Sequence, residues 1–188
     1  MKIVQVGACR GDDHVKKLVK DAKIDFLLLV EANPLNIDAL KQCYKDYPCV
    51  IENVVITADL TTNSIPFYYS VSDGPGYEVS TIKKAHIRQY YREDELRIID
   101  LPALSLEALL DKYEVKDLDY LFLDIEGIDA DVALSLDLNK YNIRNLQIEF
   151  LHLGDKMQSV IDHINGFGYE LGAGIDLHNY DKMFTKCK

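Results

Sequence analysis

Cysteine is sparse and scattered in this sequence. Cys9, Cys43, Cys49 and Cys187 form no CxxC pair and lack the density of a small secreted scaffold. They read as reduced thiols of a cytoplasmic protein. Long apolar runs are missing too: the longest, FLLLV at 26–30, is far too short to span a bilayer. No signal-peptide cleavage pattern follows the opening MKIVQVGACRG, which enters a strand-like pattern at once. Cations are in deficit, with 21 Lys and Arg against 31 Asp and Glu and a net charge of −10. That excludes a broad phosphate-backbone footprint, which needs clustered Lys and Arg. Neither nucleic acid nor membrane is therefore expected as a partner. The one basic stretch, IKKAHIRQYYR at 82–92, reads as a solvated helix face.

What is present is enough for one core. The 188 residues are 48% apolar, too apolar for a disordered chain and long enough to bury a core. KIVQV and DFLLLV read as strands, and CVIENVVITADL carries a third. Between them DDHVKKLVKDA and PLNIDALKQCYKDY carry helical periodicity, with Pro34 suited to a first turn. Strand and helix in alternation imply a parallel sheet with right-handed crossovers. The rhythm then breaks at an aromatic, β-prone stretch, IPFYYSVSDGPGYEVSTI, and a polar segment to about Arg92. LRIIDL reads as a strand, and Ser105 as the N-cap of the helix after it. Alternation resumes through DYLFLD, DADVALSL, NLQIEFL and DKMQSVIDHINGF, and the tail reads as an antiparallel terminal hairpin. The expected architecture is a single α/β domain over 1–188, with a mostly parallel Rossmann-like sheet, helices on both faces and a lid-like insert at about 64–101. No linker, low-complexity tract or internal repeat interrupts it.

The turn after the first strand, VGACRGDD, holds Gly7 and Gly11. Small residues at Gly7 and Ala8 let a ligand approach the backbone, and a helix start nearby offers free N–H groups. Glu31 ends the second strand, where an acid in doubly wound folds accepts both hydroxyls of a ribose. The turn lacks the full G-x-G-x-x-G pattern, and Asp12 and Asp13 stand where a diphosphate would lie. Two acids there repel a diphosphate and tolerate a cationic amino-acid moiety, so the pattern favours S-adenosylmethionine over a dinucleotide.

DYLFLDIEGIDAD at 119–131 packs Asp124, Glu126, Asp129 and Asp131 into eight residues. Asp124 and Glu149 both fall at strand ends facing one crevice. His152 lies just past the second of these strands, and His86 comes from the insert. Methyl transfer needs an oxygen nucleophile in line and a route for its proton. Asp124 and Glu149 suit the acceptor hydroxyl or its proton, with His152 or His86 assisting. Two other readings stand: Asp124, Glu126 and Glu149 holding Mg²⁺ or Ca²⁺, and Glu126 with Gly127 as a turn device. Asp131 reads as a helix-start charge, and Asp129 is ambiguous. His14, His163 and His178 read as surface or packing residues, Cys9 as a small residue in a tight turn, and the PFYYS aromatics as packing. Tyr77 and Tyr90 are candidates for a substrate wall.

Several of these segments, in this order, resemble the FkbM-type S-adenosylmethionine-dependent methyltransferases: VQVGACRGDD, LLLVEANPLNIDAL, ENVVITAD, VSTIKKAHI, LFLDIEGIDADV and LQIEFLHL. The resemblance spans nearly the whole chain. It implies a class I methyltransferase fold, S-adenosyl-L-methionine as cofactor, and O-methylation of a hydroxyl on a small-molecule or glycan acceptor. It also implies cofactor contacts from Gly7, Ala8, Gly11, Asp13, Glu31, Ala32, Asn33, Ala58 and Asp124. Three positions depart from the pattern: Gln5 for a common acid, Cys9 for Asn, and Phe122 for Lys. The first strand also begins at once, where many relatives carry an extension covering the site, and a homodimer is one way to cover it. The competing functions are a Rossmann-like dinucleotide or nucleotide-sugar enzyme and a non-catalytic binding module.

Overall fold

The computed structural model describes residues 1–58, 63–173 and 180–187; His178 lies outside them. Five apolar segments with alternating faces make the centre of the molecule. β1 (Lys2–Val6) pairs in parallel with β2 (Phe26–Val30) on one side and β7 (Asp117–Leu123) on the other. β3 (Val50–Glu52) extends the first side, and β8 (Asn142–Glu149) the second, both in parallel. The C-terminal hairpin adds β10 (Asp181–Lys186) against β8 and β9 (Tyr169–Ala173) at the edge, both antiparallel. The seven-strand order is β3-β2-β1-β7-β8-β10-β9. The chain leaves β1 toward β2 and later returns to β1's other flank, which puts a topological switch point at the carboxyl ends of β1 and β7.

Both faces of this sheet are covered because its strands alternate between two apolar sets. Val4, Val6, Leu28, Val30, Leu121, Leu123, Leu146 and Ile148 share one core cluster. Helices α4 (Leu106–Lys112), α5 (Asp129–Ser135) and α6 (Met157–Gly166) supply Leu109, Val132 and Val160 to it. Ile3, Leu27, Leu29 and Phe122 point the other way, against Val15 and Val19 of α1 (His14–Lys20) and Leu40 of α2 (Ile37–Cys43). Phe122 stands at a position within this second core, where a lysine would have to be accommodated among apolar neighbours. As expected, Ser105 caps α4, accepting from the Ala108 N–H at 3.0 Å.

Two sequence-based expectations need adjustment. The segment CVIENVVITADL is not one strand: β3 joins the main sheet, and β4 (Val55–Ile56) joins a second, three-stranded sheet. Asn53 makes the break, its side-chain amide donating to the Glu31 and Ala32 carbonyls at 2.8 Å each. The second helix is also shorter than its periodicity, because Pro34 lies in the turn before Ile37 and not in the first turn of α2.

The second sheet is built from the insert. β5 (Ser64–Ser70) runs antiparallel to β6 (Leu96–Leu104), and β6 runs parallel to β4. A one-turn helix, α3 (Lys84–Ile87), is all that IKKAHIRQYYR contributes, and His86 and Ile87 of it are buried. The stretch is thus not a solvated helix face, because the turn is too short to have separate faces and is pressed onto the main sheet's loops. No helix among the described residues is long and apolar enough to cross a membrane.

Candidate active site

At the switch point lies a cavity of about 340 Å³, within the range of small-ligand sites. Its floor is the turn after β1. Gly7 has φ +85°, and a Cβ there would sit 1.7 Å from the Asp124 carbonyl oxygen. Glycine is required so that the ends of β1 and β7 can touch. The N–H groups of Gly7 and Ala8 both donate to the Val30 carbonyl, at 3.0 and 2.9 Å. Gly11 is needed for a different contact: a Cβ would meet Tyr44 and Leu40 at 2.6 and 2.7 Å.

Glu31 stands at the tip of β2, buried, with both oxygens engaged. Oε1 accepts the Asn33 N–H and Oε2 the Cys9 N–H, each at 2.7 Å. Burial pushes its carboxyl up to about 7 against the opposing pull of those N–H groups and Asn36. Oε1 also accepts from Asn36 Nδ2 at 3.5 Å, whereas Oε2 keeps a second lone pair toward the cavity. Cys9 sits at φ +46° with its thiol donating to the Gly76 carbonyl at 3.3 Å. Burial first, then Glu31, pushes that thiol up to about 12, so Cys9 is a turn residue and not a thiolate.

Asp13 is the N-cap of α1, accepting from the Val15 and Lys16 N–H groups at 2.8 and 3.1 Å. Its other oxygen accepts from Gln5 Nε2 at 2.6 Å. That contact accounts for Gln5: an acid at this position would face the Asp13 carboxylate, whereas an amide donates to it.

The turn after β7 carries the acids. Asp124 is exposed where it opens onto the cavity. Desolvation by the protein around it first, and then Asp129, Glu126, Asp181 and Asp13, hold its carboxyl well above the usual range. Asp129 is buried and bonds inward, Oδ1 accepting from the Ile125 N–H at 3.0 Å. Asp131 points away, paired with Lys83 at 2.8 Å and with Lys156. Glu126 at φ +48° and Gly127 at φ +85° make a left-handed turn that sends the Glu126 side chain toward two imidazoles. Glu126 Oε2 lies 3.2 Å from His86 Nε2 and 3.7 Å from His152 Nε2. His152 Nε2 is also 3.9 Å from Glu149 Oε1, and oxygens of Asp124, Glu126 and Glu149 fall within 4.8 Å of one another.

Burial is the leading cause of every shift in this group. It raises Glu126 to about 8, helped by Asp129. It raises Glu149 to about 9, helped by Asp124 and Glu126. It lowers both His152 and His86, the latter also through His152 and Lys83. The site therefore combines carboxyls that hold protons with imidazoles that shed them, near neutrality, which suits proton transfer.

The insert supplies the facing wall. Thr81 Oγ1 donates to the Glu126 carbonyl at 2.8 Å, and Lys83 Nζ to the Gly127 carbonyl at 2.9 Å. Together they dock the insert on the acidic turn and set His86 beside it. Phe67, Tyr77, Glu78, Ser80, Thr81 and Ile82 line the cavity from this side, and Val54, Val55 and Ile56 add an apolar flank. Among the described residues, seven acidic side chains line the cavity (Asp12, Asp13, Glu31, Glu78, Asp124, Glu126, Glu149), and no Lys or Arg does.

Comparison with known proteins places this geometry. Residues 5–172 match the methyltransferase FkbM domain. The chain belongs to the FkbM methyltransferase family. A search of curated protein sequences finds no significant match. Among solved structures, the chain is similar to the methyltransferase FkbM of Methylobacillus flagellatus KT, at 14% identity and a TM-score of 0.56, over 98% of this chain and 43% of that one. The chain thus spans less than half of that protein's length. It also aligns with an Aeropyrum pernix fibrillarin in complex with S-adenosyl-L-methionine (10% identity, TM-score 0.49, 97% and 64% of the two chains). A third alignment is with a Geobacter metallireducens GS-15 precorrin-6y C5,15-methyltransferase (12%, 0.47, 99% and 80%). The mostly parallel sheet with an antiparallel C-terminal hairpin is the class I methyltransferase architecture.

In this FkbM domain, Gly7, Ala8, Gly11, Asp13, Glu31, Ala32, Asp124 and Glu149 all line the cavity. Asn33 does not: it is fully buried behind Glu31, its side chain donating to Ser80 Oγ at 3.3 Å. Ala58 is absent from the lining, two residues beyond Ile56, which is part of it. His86 and His152 stand behind Glu126 and Glu149. Sequence reasoning missed Val55, Ile56, Thr81 and Ile82, and read Phe67 as packing only. Their apolar or hydroxyl side chains carry no chemical signature, and β-prone patterning around Phe67 was the one local signal.

Proposed function

We propose that this domain binds S-adenosylmethionine in the switch-point cavity and methylates a hydroxyl of a sugar or another natural product. The observation that carries the reading is the make-up of the lining: seven acidic side chains and, among the described residues, no Lys or Arg. Such a cavity favours a ligand carrying ammonium and sulfonium charge and repels the diphosphate of a dinucleotide. The residues fit the cofactor in kind. Glu31 Oε2 has a spare lone pair for a ribose hydroxyl, Val55, Ile56 and Phe67 offer an apolar flank for a base, and Asp124 offers its carboxyl to the amino group. When bound, the cofactor supplies an electrophilic methyl with a neutral thioether as leaving group.

The chain's own task is then to hold the acceptor and take its proton. Asp124 and Glu149 face the cavity and accept from the hydroxyl. The raised carboxyl of Glu149 makes it a stronger base than an exposed glutamate, at the expense of being protonated below its raised pKa. His152, 3.9 Å from Glu149, assists by exchanging that proton with solvent.

Calorimetry with S-adenosylhomocysteine and NAD tests the cofactor. We expect binding of the first and none of the second; the reverse would overturn the reading in favour of a dinucleotide enzyme. Turnover is tested with labelled cofactor against a panel of hydroxylated glycans and small molecules. For an acceptor that is methylated, Glu149→Gln should lower kcat by about 10²–10⁴-fold with little change in cofactor affinity, as expected for a lost general base. Cofactor binding without methylation of any acceptor would point instead to a binding module.

A further inference from the structure

The geometry points to a transition-metal site formed by His86, Glu126 and His152, with Glu149 beside it. One ring nitrogen each of His86 and His152 and one Glu126 oxygen lie within 4.8 Å of one another. The individual separations are 3.2, 3.7 and 3.9 Å for His86–Glu126, His152–Glu126 and His152–Glu149. A hydrogen bond accounts for the first and for neither of the others, which exceed hydrogen-bond range. The first two suit the edges of a ligand shell: a tetrahedral ion about 2.0–2.2 Å from each donor holds its donors roughly 3.3–3.6 Å apart.

A second observation is independent of these spacings. Glu149 is 9% exposed, and its Oε2 has no hydrogen-bond partner among the described residues. A buried, unpartnered carboxylate oxygen is a rare and unfavourable arrangement that a bound cation relieves. The backbone is arranged around the same point. Gly127 leaves room for the His86 ring, since a Cβ there would meet Nδ1 at 3.1 Å. Four elements converge: α3, the turn after β7, the end of β8 and the loop beyond it.

Two imidazoles with a carboxylate select Zn²⁺, Co²⁺, Mn²⁺ or Fe²⁺ over the hard cations Mg²⁺ and Ca²⁺, which take oxygen donors, and three protein ligands leave a position open. The site differs from the oxygen-only triad of Asp124, Glu126 and Glu149. Its role rests on the methyl-transfer reading. An ion at this place lies beside Glu126 and Glu149, both of which line the cavity, and through its open position would hold the acceptor oxygen and acidify its hydroxyl. The O–H proton then passes to Glu149, the oxygen's electron pair forms the new C–O bond, and the C–S pair leaves with sulfur.

The test uses chelator-stripped full-length protein titrated with Co²⁺, followed by visible absorption, and with Zn²⁺, followed by calorimetry. We expect about one ion per chain, displacement of Co²⁺ by Zn²⁺, and no competition from Mg²⁺. His86→Gln and His152→Gln, each checked for folding by circular dichroism, should weaken binding at least about tenfold, as loss of a ligand does. His163→Gln, outside the cluster, should leave it unchanged. No stoichiometric Co²⁺ binding, or full binding in a folded His86→Gln/His152→Gln double variant, would overturn the site. S-adenosylhomocysteine is titrated in parallel. Metal binding without it upholds the site and sinks the methyl-transfer role, whereas cofactor binding without metal does the reverse.

Discussion

At the scale of single residues, glycine positions separate contact from conformation. Gly7 has positive φ and a backbone oxygen where its Cβ would be, whereas Gly168 has φ +81° with nothing within 4 Å. Gly168→Ala should therefore lower stability by about 1 kcal/mol from conformational strain alone. Gly7→Ala should lose at least about 3 kcal/mol, because neither the Asp124 carbonyl nor β1 can retreat without breaking strand pairing. Urea denaturation of the two variants checks the difference; equal losses would contradict it. Glu31 gives a binding counterpart. Glu31→Gln keeps one acceptor oxygen and loses the other, and we expect S-adenosylhomocysteine affinity to fall about 10–100-fold by calorimetry. An unchanged affinity would remove Glu31 from the cofactor's contacts.

At the scale of elements, the decisive joint is between the insert and the turn after β7. Thr81 is 1% exposed, and its hydroxyl satisfies the Glu126 carbonyl while accepting from the Lys83 N–H at 3.2 Å. Thr81→Val keeps the shape and strands both groups, so we expect a loss of about 1–3 kcal/mol. Amide exchange should also quicken at 125–128 while staying unchanged in β2. Uniform exchange, or none faster, would mean that the insert is held by its apolar contacts instead. The Lys83–Asp131 ion pair is half-exposed and belongs among the weaker contributions.

The same joint shows how far local reading reached. The strand–helix alternation, the Ser105 cap and the C-terminal hairpin were legible because each rests on neighbours in sequence. Gly7 and Glu31 were legible because a glycine turn and an acid 24 residues later follow from a βαβ unit. His86 was picked out as chemically capable, yet nothing near it in the chain indicates Glu126, 40 residues away. Phe67 looked like packing for the same reason. The break of one expected strand into β3 and β4 depends on Asn53 reaching back to the Glu31 carbonyl, a contact made across two strands.

At the scale of the whole molecule, the concentration of acids at the carboxyl ends of the parallel strands governs the response to pH. Glu31, Glu126 and Glu149 have folded-state values of about 7, 8 and 9 against an unfolded value near 4.3. Between those limits the folded chain binds more protons than the unfolded chain, so stability falls as pH rises. Their contribution is complete below about pH 4 and lost progressively up to about pH 9. We expect the melting temperature of the ligand-free protein to fall from pH 6 to pH 9, a range chosen above the ordinary carboxylates. Glu149→Gln should blunt that fall and raise the pH 9 melting temperature by about 2–4 °C per kcal/mol recovered. A melting temperature that rises with pH over this range would contradict the assignment.

From the sequence alone came the α/β class, the doubly wound sheet and the acidic, cation-seeking character of the turn after β1. Each follows from periodicity, turn chemistry and the sign of charges a few residues apart. Tertiary structure alone decided what the second acidic turn faces. Asp129 turns into the core and Asp131 out to lysines, and Glu126 meets His86, His152 and Glu149. Those outcomes depend on where the insert docks and on how β8 aligns beside β7. The physical reason is the range of the forces involved: backbone preference acts within a few residues, whereas burial and charge act on whatever the fold brings within a few ångströms.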